Sequence, residues 1–430
     1  MARHIRSFAR DARANVAMVF ALCLSSLAAA VGGGMDFSRS TSVGFELQAA
    51  LDSGVLAAAS LSQDRSADDV VRSYVEAALG DHRGLLDSLN LQVTAITGFN
   101  SREVEAIAVV SVPTTLLGVA GINTLTVRRD ARAIEQVRDI EISLVLDISG
   151  SMSGSKIDAL REAAEEFIDV VLASNGGRTS ISVIPYNGGV RLPDYVNEQI
   201  VDGNRNQRER SGCPELGEDW PISIPLPDEG LDWLEWQGNE QYDNRSSSFC
   251  PESDEASVFL REDRDSLLNL VRRLDAGGNT GLDVATAWGA RALDPSWRGR
   301  LGGSFSDRPA AYDDEDTIKV LVVMTDGAAT AQIRRERKGN KWRDVELYSA
   351  GDARDNMGEA CDAAEGRGVH IYTIAFQLSG STNRNLMQNC ASRPQNYYPV
   401  EDMDIRAAFS AIAADINQLR ITSQTQTAQP

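Results

Sequence analysis

Short apolar runs alternate with helical stretches through most of the second half of this 430-residue chain. The runs Ile142–Leu146, Ser180–Tyr186, Ile318–Met324 and His370–Phe376 are typical of buried strands. Between them, apolar residues recur every three or four positions, as they do on one face of a helix. This alternation is the pattern of βαβ units, so we predict an α/β domain with a parallel sheet. The predicted helices are Lys156–Leu172, Ser257–Leu274, Leu282–Leu293, Ala353–Gly366 and Asp404–Leu419.

The charge balance and the histidine content argue against several functional classes. The chain has 42 Lys and Arg against 62 Asp and Glu, which gives a net charge of −20. Nucleic-acid binding depends on neutralising phosphates with basic side chains, so we expect no nucleic-acid partner. The three histidines, His4, His82 and His370, are far apart in the sequence, which disfavours a His-rich zinc site or a Ser-His-Asp hydrolase.

A group of oxygen-bearing residues follows the first strand of the α/β region. Asp147, Ser149 and Ser151 form an Asp-x-Ser-x-Ser pattern directly after Ile142–Leu146. Open α/β sheets bind ligands at the carboxyl ends of their strands, where these side chains would converge. Hard oxygen donors with few charges suit Mg²⁺, with Mn²⁺ or Ca²⁺ as alternatives. The same residues could instead cap the helix that begins at Lys156.

Two later segments offer further oxygen donors. Thr280 lies in the Gly-rich segment 276–281, just before a predicted helix, and Thr286 is a more distant alternative to it. Asp326 follows the strand Ile318–Met324 and supplies a second carboxylate at a strand's carboxyl end. An Asp-Gly pair is also common in ordinary turns, so the order of these segments along the chain favours a site more than any one of them does.

Five residues together resemble the metal-ion-dependent adhesion site of von Willebrand factor type A domains: Asp147, Ser149, Ser151, Thr280 and Asp326. In that family, three loops of this kind surround one divalent cation. The resemblance covers residues 139–419. It implies a doubly wound, mostly parallel sheet flanked by helices.

Charge considerations indicate what such a site would do. Three neutral hydroxyls and two carboxylates leave a divalent cation incompletely neutralised, so its open position would attract an acidic side chain from a protein partner. No general base stands in a recognisable relation to the set, and Ser149 occupies the place where a phosphatase would have a second aspartate. We therefore expect a binding protein and not an enzyme.

The N-terminal segment has the pattern of a membrane anchor. Arg3, Arg6, Arg10 and Arg13 precede the uncharged run Val16–Met35, which as a helix would span about 30 Å. We predict that residues 1–36 form a cytoplasmic basic head and a single transmembrane helix, with the remaining chain outside the cytoplasm. A cleaved signal peptide is the alternative, because Ala28–Ala30 resembles a cleavage site.

Between the anchor and the α/β domain, residues 37–136 are predicted to form a small membrane-proximal α+β stalk. Its predicted helices are 40–62 and 66–80, with Ser66 as the cap of the second, and its predicted strands are Leu91–Thr97, Val104–Val112 and Ile122–Val127. At the other end of the chain, the polar residues 420–430 are predicted to be disordered.

An acidic insertion, residues 188–257, interrupts the α/β pattern. It contains sixteen acidic residues against five arginines, together with Trp220, Trp233 and Trp236. We interpret it as a surface loop, either with a binding role or without a specific partner.

Four cysteines outside the apolar N-terminal run could form disulfides. Cys213, Cys250, Cys361 and Cys390 allow three pairings, and proximity favours 213–250 and 361–390. Four free thiols are the alternative. Cys23, inside the apolar run, is expected to be unpaired.

The leader region provides a second resemblance. The segments Ala14–Ala21 (ANVAMVFA), Met35–Arg39 (MDFSR) and Leu47–Asp52 (LQAALD) look like those of bacterial Tad (tight adherence, Flp) pilus assembly proteins of the TadG type. Cys361 and Cys390 also look like that family's cysteines. The resemblance implies an inner-membrane protein that joins an anchor to an exported type A domain and serves pilus assembly or anchoring. A surface adhesin that binds host or neighbour-cell ligands through the same metal site is the alternative.

The topology can be tested with a reporter fused after residue 60. We expect it to be active in the periplasm and to fractionate with the membrane, because basic residues stay on the cytoplasmic side. Recovery of a soluble mature chain that begins near Val31 would show that the segment is a cleaved signal peptide.

Overall fold

The computed structural model describes residues 12–80, 83–98, 100–173, 178–200, 212–214, 250–302, 307–338 and 341–427. The chain divides into two compact units. Unit 1 comprises Met1–Gln136 and Thr422–Pro430, and unit 2 comprises Val137–Ile421.

Unit 1 begins with one long helix, α1 (Ala12–Ala59), of 48 residues. The helix predicted over 40–62 therefore starts much earlier and runs through residue 36 without a break. Gly32, Gly33 and Gly34 weaken a helix without ending it, because glycine keeps the N–H group that proline lacks. Among the residues that the structure describes, no helix has both the length and the apolar character needed to cross a membrane.

Two shorter helices follow, α2 (Ala67–Leu79) and α3 (Arg83–Leu86). Ser66 caps α2 as predicted, since its hydroxyl accepts a hydrogen bond from the Asp69 N–H at 3.1 Å. The buried face of α2 carries Val70, Val71 and Val75, which belong to the apolar core of unit 1 together with one side of α1.

The sheet of unit 1 has the order β1-β2-β3-β12. These strands are β1 (Asn90–Thr97), β2 (Ser101–Pro113), β3 (Thr124–Val137) and β12 (Ile421–Thr427). Strands β1, β2 and β3 pair antiparallel. Alternate residues of β2, from Val104 to Val112, are buried against the helices, so one face of the sheet covers the core.

The prediction of a disordered tail over 420–430 was wrong. Arg420 ends a helix, and Ile421–Thr427 form strand β12 beside β3. The prediction relied on polar composition, but a strand at the edge of a sheet is held by backbone hydrogen bonds, which polar residues form as well as apolar ones. Residues 428–430 lie outside the described part of the chain.

Unit 2 contains a six-stranded sheet and a two-stranded hairpin. The strands are β4 (Asp139–Asp147), β5 (Thr179–Tyr186), β6 (Val258–Arg261), β7 (Thr317–Thr325), β8 (Gln332–Lys338), β9 (Lys341–Tyr348), β10 (His370–Phe376) and β11 (Tyr397–Val400). The sheet order is β11-β10-β7-β4-β5-β6. The chain moves outward from β4 to β6 and returns to β7 on the other side of β4, which confirms a doubly wound α/β fold.

The sheet is mostly parallel, as predicted. β4 runs parallel to both β5 and β7, and β10 runs parallel to β7 and β11, whereas the short edge strand β6 is antiparallel to β5. Nearly every residue of β4 and β7 is buried because both faces of the sheet are covered.

Helices cover the two faces of this sheet. The helices of unit 2 are α4 (Ser155–Ala173), α5 (Asp194–Ile200), α6 (Arg264–Val271), α7 (Leu282–Arg291), α8 (Ala350–Glu365), α9 (Ser381–Cys390) and α10 (Ile405–Arg420). Helices α4, α6 and α10 pack on one face, and α7, α8 and α9 pack on the other.

Two local predictions were wrong in unit 2. The helix predicted over Ser257–Leu274 is in fact the strand β6 followed by α6, whose first turn is capped by Asp263 through the N–H groups of Asp265 and Ser266. The cap marks where α6 begins, and periodicity alone does not separate so short a strand from a helix. The hairpin β8–β9 was not predicted at all.

Both predicted disulfides are confirmed. Cys213 pairs with Cys250, and Cys361 pairs with Cys390. Cys23 is unpaired and exposed, as expected. The first bond closes the base of the acidic insertion, where Leu192 N–H also donates to the Gly212 carbonyl at 2.9 Å. The predicted tryptophans of the insertion, Trp220, Trp233 and Trp236, lie outside the described residues.

Buried charges join the amino-terminal ends of the central strands. Lys319 in β7 lies beside Glu141 in β4, and its Nζ is 2.5 Å from the Glu141 carboxylate and 2.9 Å from the Leu293 carbonyl. Arg308 lies 3.3 Å from the other Glu141 oxygen. Lys319 is the polar exception in the apolar run Ile318–Met324, and it neutralises Glu141.

We predict that Lys319→Met destabilises the protein by about 3–5 kcal/mol, because it leaves a carboxylate buried without its main counter-ion. Urea unfolding measures the loss. The double variant Lys319→Met/Glu141→Gln serves as the control and should recover most of it, because Gln is uncharged and can still accept from the Ala310 N–H. A single variant as stable as the wild type would contradict this role.

Candidate metal centre

Strand β4 places Asp147 at the carboxyl end of the sheet. Its side chain is fully buried, and its two oxygens are held from different directions. One accepts a hydrogen bond from the Ser149 N–H at 2.7 Å, and the other accepts from the Thr325 hydroxyl at 2.6 Å. Thr325 ends the neighbouring strand β7, so the position of Asp147 depends on both central strands.

The loop after β4 brings the next donors together. Ser149 Oγ lies 3.0 Å from Ser151 Oγ, and Ser151 Oγ lies 2.5 Å from Asp326 Oδ1. Asp326 directly follows β7, which neighbours β4 in the sheet. Residues separated by 175 positions in sequence thus meet at the point where the winding of the sheet reverses.

Thr280 comes to the same place from a third loop. A methyl group built on Gly327 would lie 3.2 Å from Thr280 Oγ1 and 3.3 Å from Ser151 Oγ, so both hydroxyls border this glycine. Backbone bonds position the Thr280 loop: Gly150 N–H donates to the Gly278 carbonyl at 3.0 Å. The alternative Thr286 is in helix α7, and its hydroxyl donates to the Leu282 carbonyl at 2.7 Å.

Two residues of this site were missed by the sequence analysis. Thr325 fixes Asp147, and Lys156 at the start of α4 forms a 2.6 Å ion pair with Asp326. The polar residue that ends the buried run of β7 was a signal for Thr325. Lys156 had no comparable signal, because a lysine in the first turn of a helix is usually solvated.

Electrostatics within the site favour a bound cation. Burial raises the pKa of Asp147 to about 6, and the nearby charge of Asp326 adds to this effect, while the hydrogen bonds from Ser149 and Thr325 oppose it. Two carboxylates that repel each other in a buried pocket are stabilised by a positive charge between them. Lys156 supplies one such charge to Asp326 alone.

The donor set fits a small, hard divalent cation. It offers hydroxyl oxygens and two carboxylates, the ligands that Mg²⁺ prefers. The described residues contain no group of three or more His, Cys, Asp or Glu placed to hold a metal ion, and the candidate set itself has two carboxylates. Gly327 leaves open the space beside the hydroxyls that a larger residue would fill.

No protein-family model matches the sequence, and no curated protein matches it. The von Willebrand factor domain of the type V pili tip protein Mfa5 from Porphyromonas gingivalis covers 68% of this chain and 98% of its own, at 12% identity and a TM-score of 0.40.

Two further solved structures are similar over more of the chain. The pilus adhesin SpaC from Lactobacillus rhamnosus GG covers 78% of it at 13% identity and a TM-score of 0.39, and the chain spans only 35% of SpaC. A von Willebrand factor type A protein from Catenulispora acidiphila covers 77% of this chain and 49% of its own length, at 13% identity and a TM-score of 0.33.

The fold of unit 2 follows from its strand order. A mostly parallel sheet with helices on both faces and oxygen donors at its switch point is a doubly wound α/β fold.

A second buried carboxylate lies just beyond the site, in the first turn of α7. Asp283 accepts a hydrogen bond from the Tyr348 hydroxyl at 2.6 Å, which ties α7 to the end of the β8–β9 hairpin. Burial raises the pKa of Asp283 to about 6 from its usual 3.8. The folded protein therefore binds this proton more tightly than the unfolded chain does.

This raised pKa sets a pH dependence of stability. Between pH 4 and 6 the unfolded chain ionises Asp283 first, so the free energy of unfolding falls as pH rises. Asp283→Asn cannot ionise and still accepts from Tyr348. In EDTA, the free energy of unfolding of Asp283→Asn should exceed that of the wild type only slightly at pH 4. The difference should reach about 3 kcal/mol at pH 7, as measured by urea unfolding. An advantage that does not change with pH would contradict this account.

Proposed function

We propose that this protein is a membrane-anchored, extracytoplasmic pilus assembly or anchoring protein of the Tad (TadG) type, which binds a protein partner through a divalent cation. One observation carries the metal-dependent function: Asp147, Ser149, Ser151, Thr280 and Asp326 converge at one edge of the sheet from three separate loops.

In this function the five residues would hold Mg²⁺, with Mn²⁺ or Ca²⁺ as alternatives. When bound, the cation supplies an open coordination position for an acidic side chain of the partner. Asp147 sits deepest and is held rigidly by Thr325 and the Ser149 N–H. Ser151 is the exposed member of the set, so we place the partner's approach on its side.

The same geometry favours binding over catalysis. His370 begins β10, at the end of the sheet opposite the site, because it pairs with Val320 near the start of β7. Thr325 and Lys156 are each bonded to one of the two carboxylates. Neither is placed as a general base.

Membrane anchoring is supported by the leader sequence and by the exposure of α1. The uncharged run Val16–Met35 follows four arginines, which indicates a cytoplasmic N-terminus and a single pass through the inner membrane. Several large apolar side chains of this run are exposed: Val19, Phe20, Leu24, Leu27, Val31 and Met35. A helix with such a surface needs an apolar environment. The likeness of residues 14–52 to TadG-type leaders links the anchor to pilus assembly.

The metal-dependent function can be tested by thermal unfolding with and without Mg²⁺. We expect stabilisation of about 2.7 kcal/mol at a hundredfold excess over Kd, following mass action. The gain should vanish in Asp147→Asn and shrink in Ser151→Ala. The apo Asp147→Asn variant should stay folded, since Asn can still accept from Thr325 and no longer repels Asp326.

Ser153→Ala is the matched control, because Ser153 lies in the same loop but is exposed to solvent. It should respond to Mg²⁺ as the wild type does. Partner capture and pilus assembly should fail in parallel with the loss of metal binding. If EDTA changes neither stability nor assembly, the domain acts as a metal-free scaffold. If the variants no longer bind ligands on other cells but still assemble normal pili, the protein is an adhesin.

A further inference from the structure

An exposed apolar loop joins β2 to β3 in unit 1. Within residues 114–123, Leu116, Val119 and Ile122 have 43%, 90% and 47% of their surface exposed. The loop lies inside a stretch, residues 106–127, that contains no charged side chain in a chain where 24% of residues are charged. Single exposed apolar residues are common, but three on one uncharged loop form a surface that water solvates poorly.

The loop packs directly on α1. A methyl group built on Gly32 would lie 2.5 Å from Leu116 Cβ, and one on Gly33 would lie 3.2 Å from Leu117 Cδ2. Larger side chains at Gly32 would therefore displace the loop. The glycines give α1 a flat face on which the loop rests.

Asp36 fixes the loop's height along α1. Its carboxylate is buried and accepts hydrogen bonds from three consecutive N–H groups, those of Thr115 at 3.0 Å, Leu116 at 2.8 Å and Leu117 at 2.8 Å. These bonds satisfy the backbone donors at the start of a short 3-10 turn, Leu117–Ala120. The neck of the loop is closed by the Thr114 N–H, which donates to the Asn123 carbonyl at 3.0 Å.

This height places the loop beside the end of the apolar run. Gly32, which Leu116 contacts, precedes the last residue of the run, Met35, by three positions, or about 5 Å along a helix. We propose that loop 114–123 is a second membrane contact, which inserts Leu116, Val119 and Ile122 into the bilayer on the extracytoplasmic side next to α1. This membrane contact depends on the membrane anchor of the proposed function.

The polarity of the surrounding surface follows the order of a bilayer boundary. The apolar tip is followed by exposed neutral side chains, Thr115, Asn123 and Thr124, and then by exposed charged ones, Arg39 on α1 and Arg128 on β3. A lipid bilayer presents hydrocarbon, interface and water in this order. A rigid contact of this kind would hold unit 1 at a set depth and tilt, which one helix alone does not do.

The test uses the full chain in vesicles of phosphatidylcholine and phosphatidylglycerol. In a Cys23→Ala background, Val119→Cys carries an environment-sensitive nitrobenzoxadiazole label, and Ile96→Cys carries it in the control. Ile96 is also exposed, at 63%, but pairs with Glu103, ten residues along β2 from Pro113 and roughly 33 Å from the loop. The four other cysteines are in disulfides and do not react.

We expect the label at 119 to be quenched at least twofold more by spin-labelled lipids than the label at 96, and less by aqueous iodide. Gly32→Leu should abolish this difference while the protein still floats with the vesicles. Flotation with equal iodide quenching at both positions would overturn the loop contact and leave the anchor standing. Protection of position 119 from both quenchers would overturn it in favour of a protein neighbour. Failure to float would overturn both.

Discussion

The structure of unit 2 depends on the hydrogen bonds that hold the buried carboxylate of Asp147. Asp147 ends a strand whose two faces are both covered, so its charge is surrounded by protein and not by water. Such a group is tolerated only when donors surround it, and here Thr325 and the Ser149 N–H take that role. These two contacts join β4, β7 and the loop between β4 and α4, the segments beside which Ser149, Ser151 and Asp326 lie.

The buried carboxylates at the two ends of the central strands are neutralised to different extents. At the amino-terminal end, Glu141 is neutralised by Lys319 and Arg308, so that end is electrostatically closed. At the carboxyl end, Asp147 and Asp326 repel each other, and Lys156 reaches only one of them. The first arrangement suits stability and the second suits the uptake of a cation. One sheet therefore has its neutralised carboxylate at one end and its mutually repelling carboxylates at the other.

Unit 1 uses a carboxylate in a similar way but for a different purpose. Asp36 accepts three backbone N–H groups and thereby ties a loop to the long helix. Together these bonds reach both oxygens of the carboxylate. With the flat face made by Gly32 and Gly33, this contact gives an apolar loop a defined position, which a sheet and a helix packed only through aliphatic side chains would not fix.

The sequence alone determined the fold class of unit 2, the two disulfides and the residues proposed to bind metal. The periodicity of strands and helices can be read from a short stretch of sequence. A carboxylate at the end of an apolar run can be recognised there as well, without knowledge of its spatial neighbours. Tertiary structure decided what depended on distant partners. The Thr325 and Lys156 contacts, the pairing of Lys319 with Glu141 and the strand β12 all join segments far apart in the chain. Sequence patterns carry no record of such partners, because hydrogen bonds and ion pairs between remote residues form only once the sheet has brought them within reach.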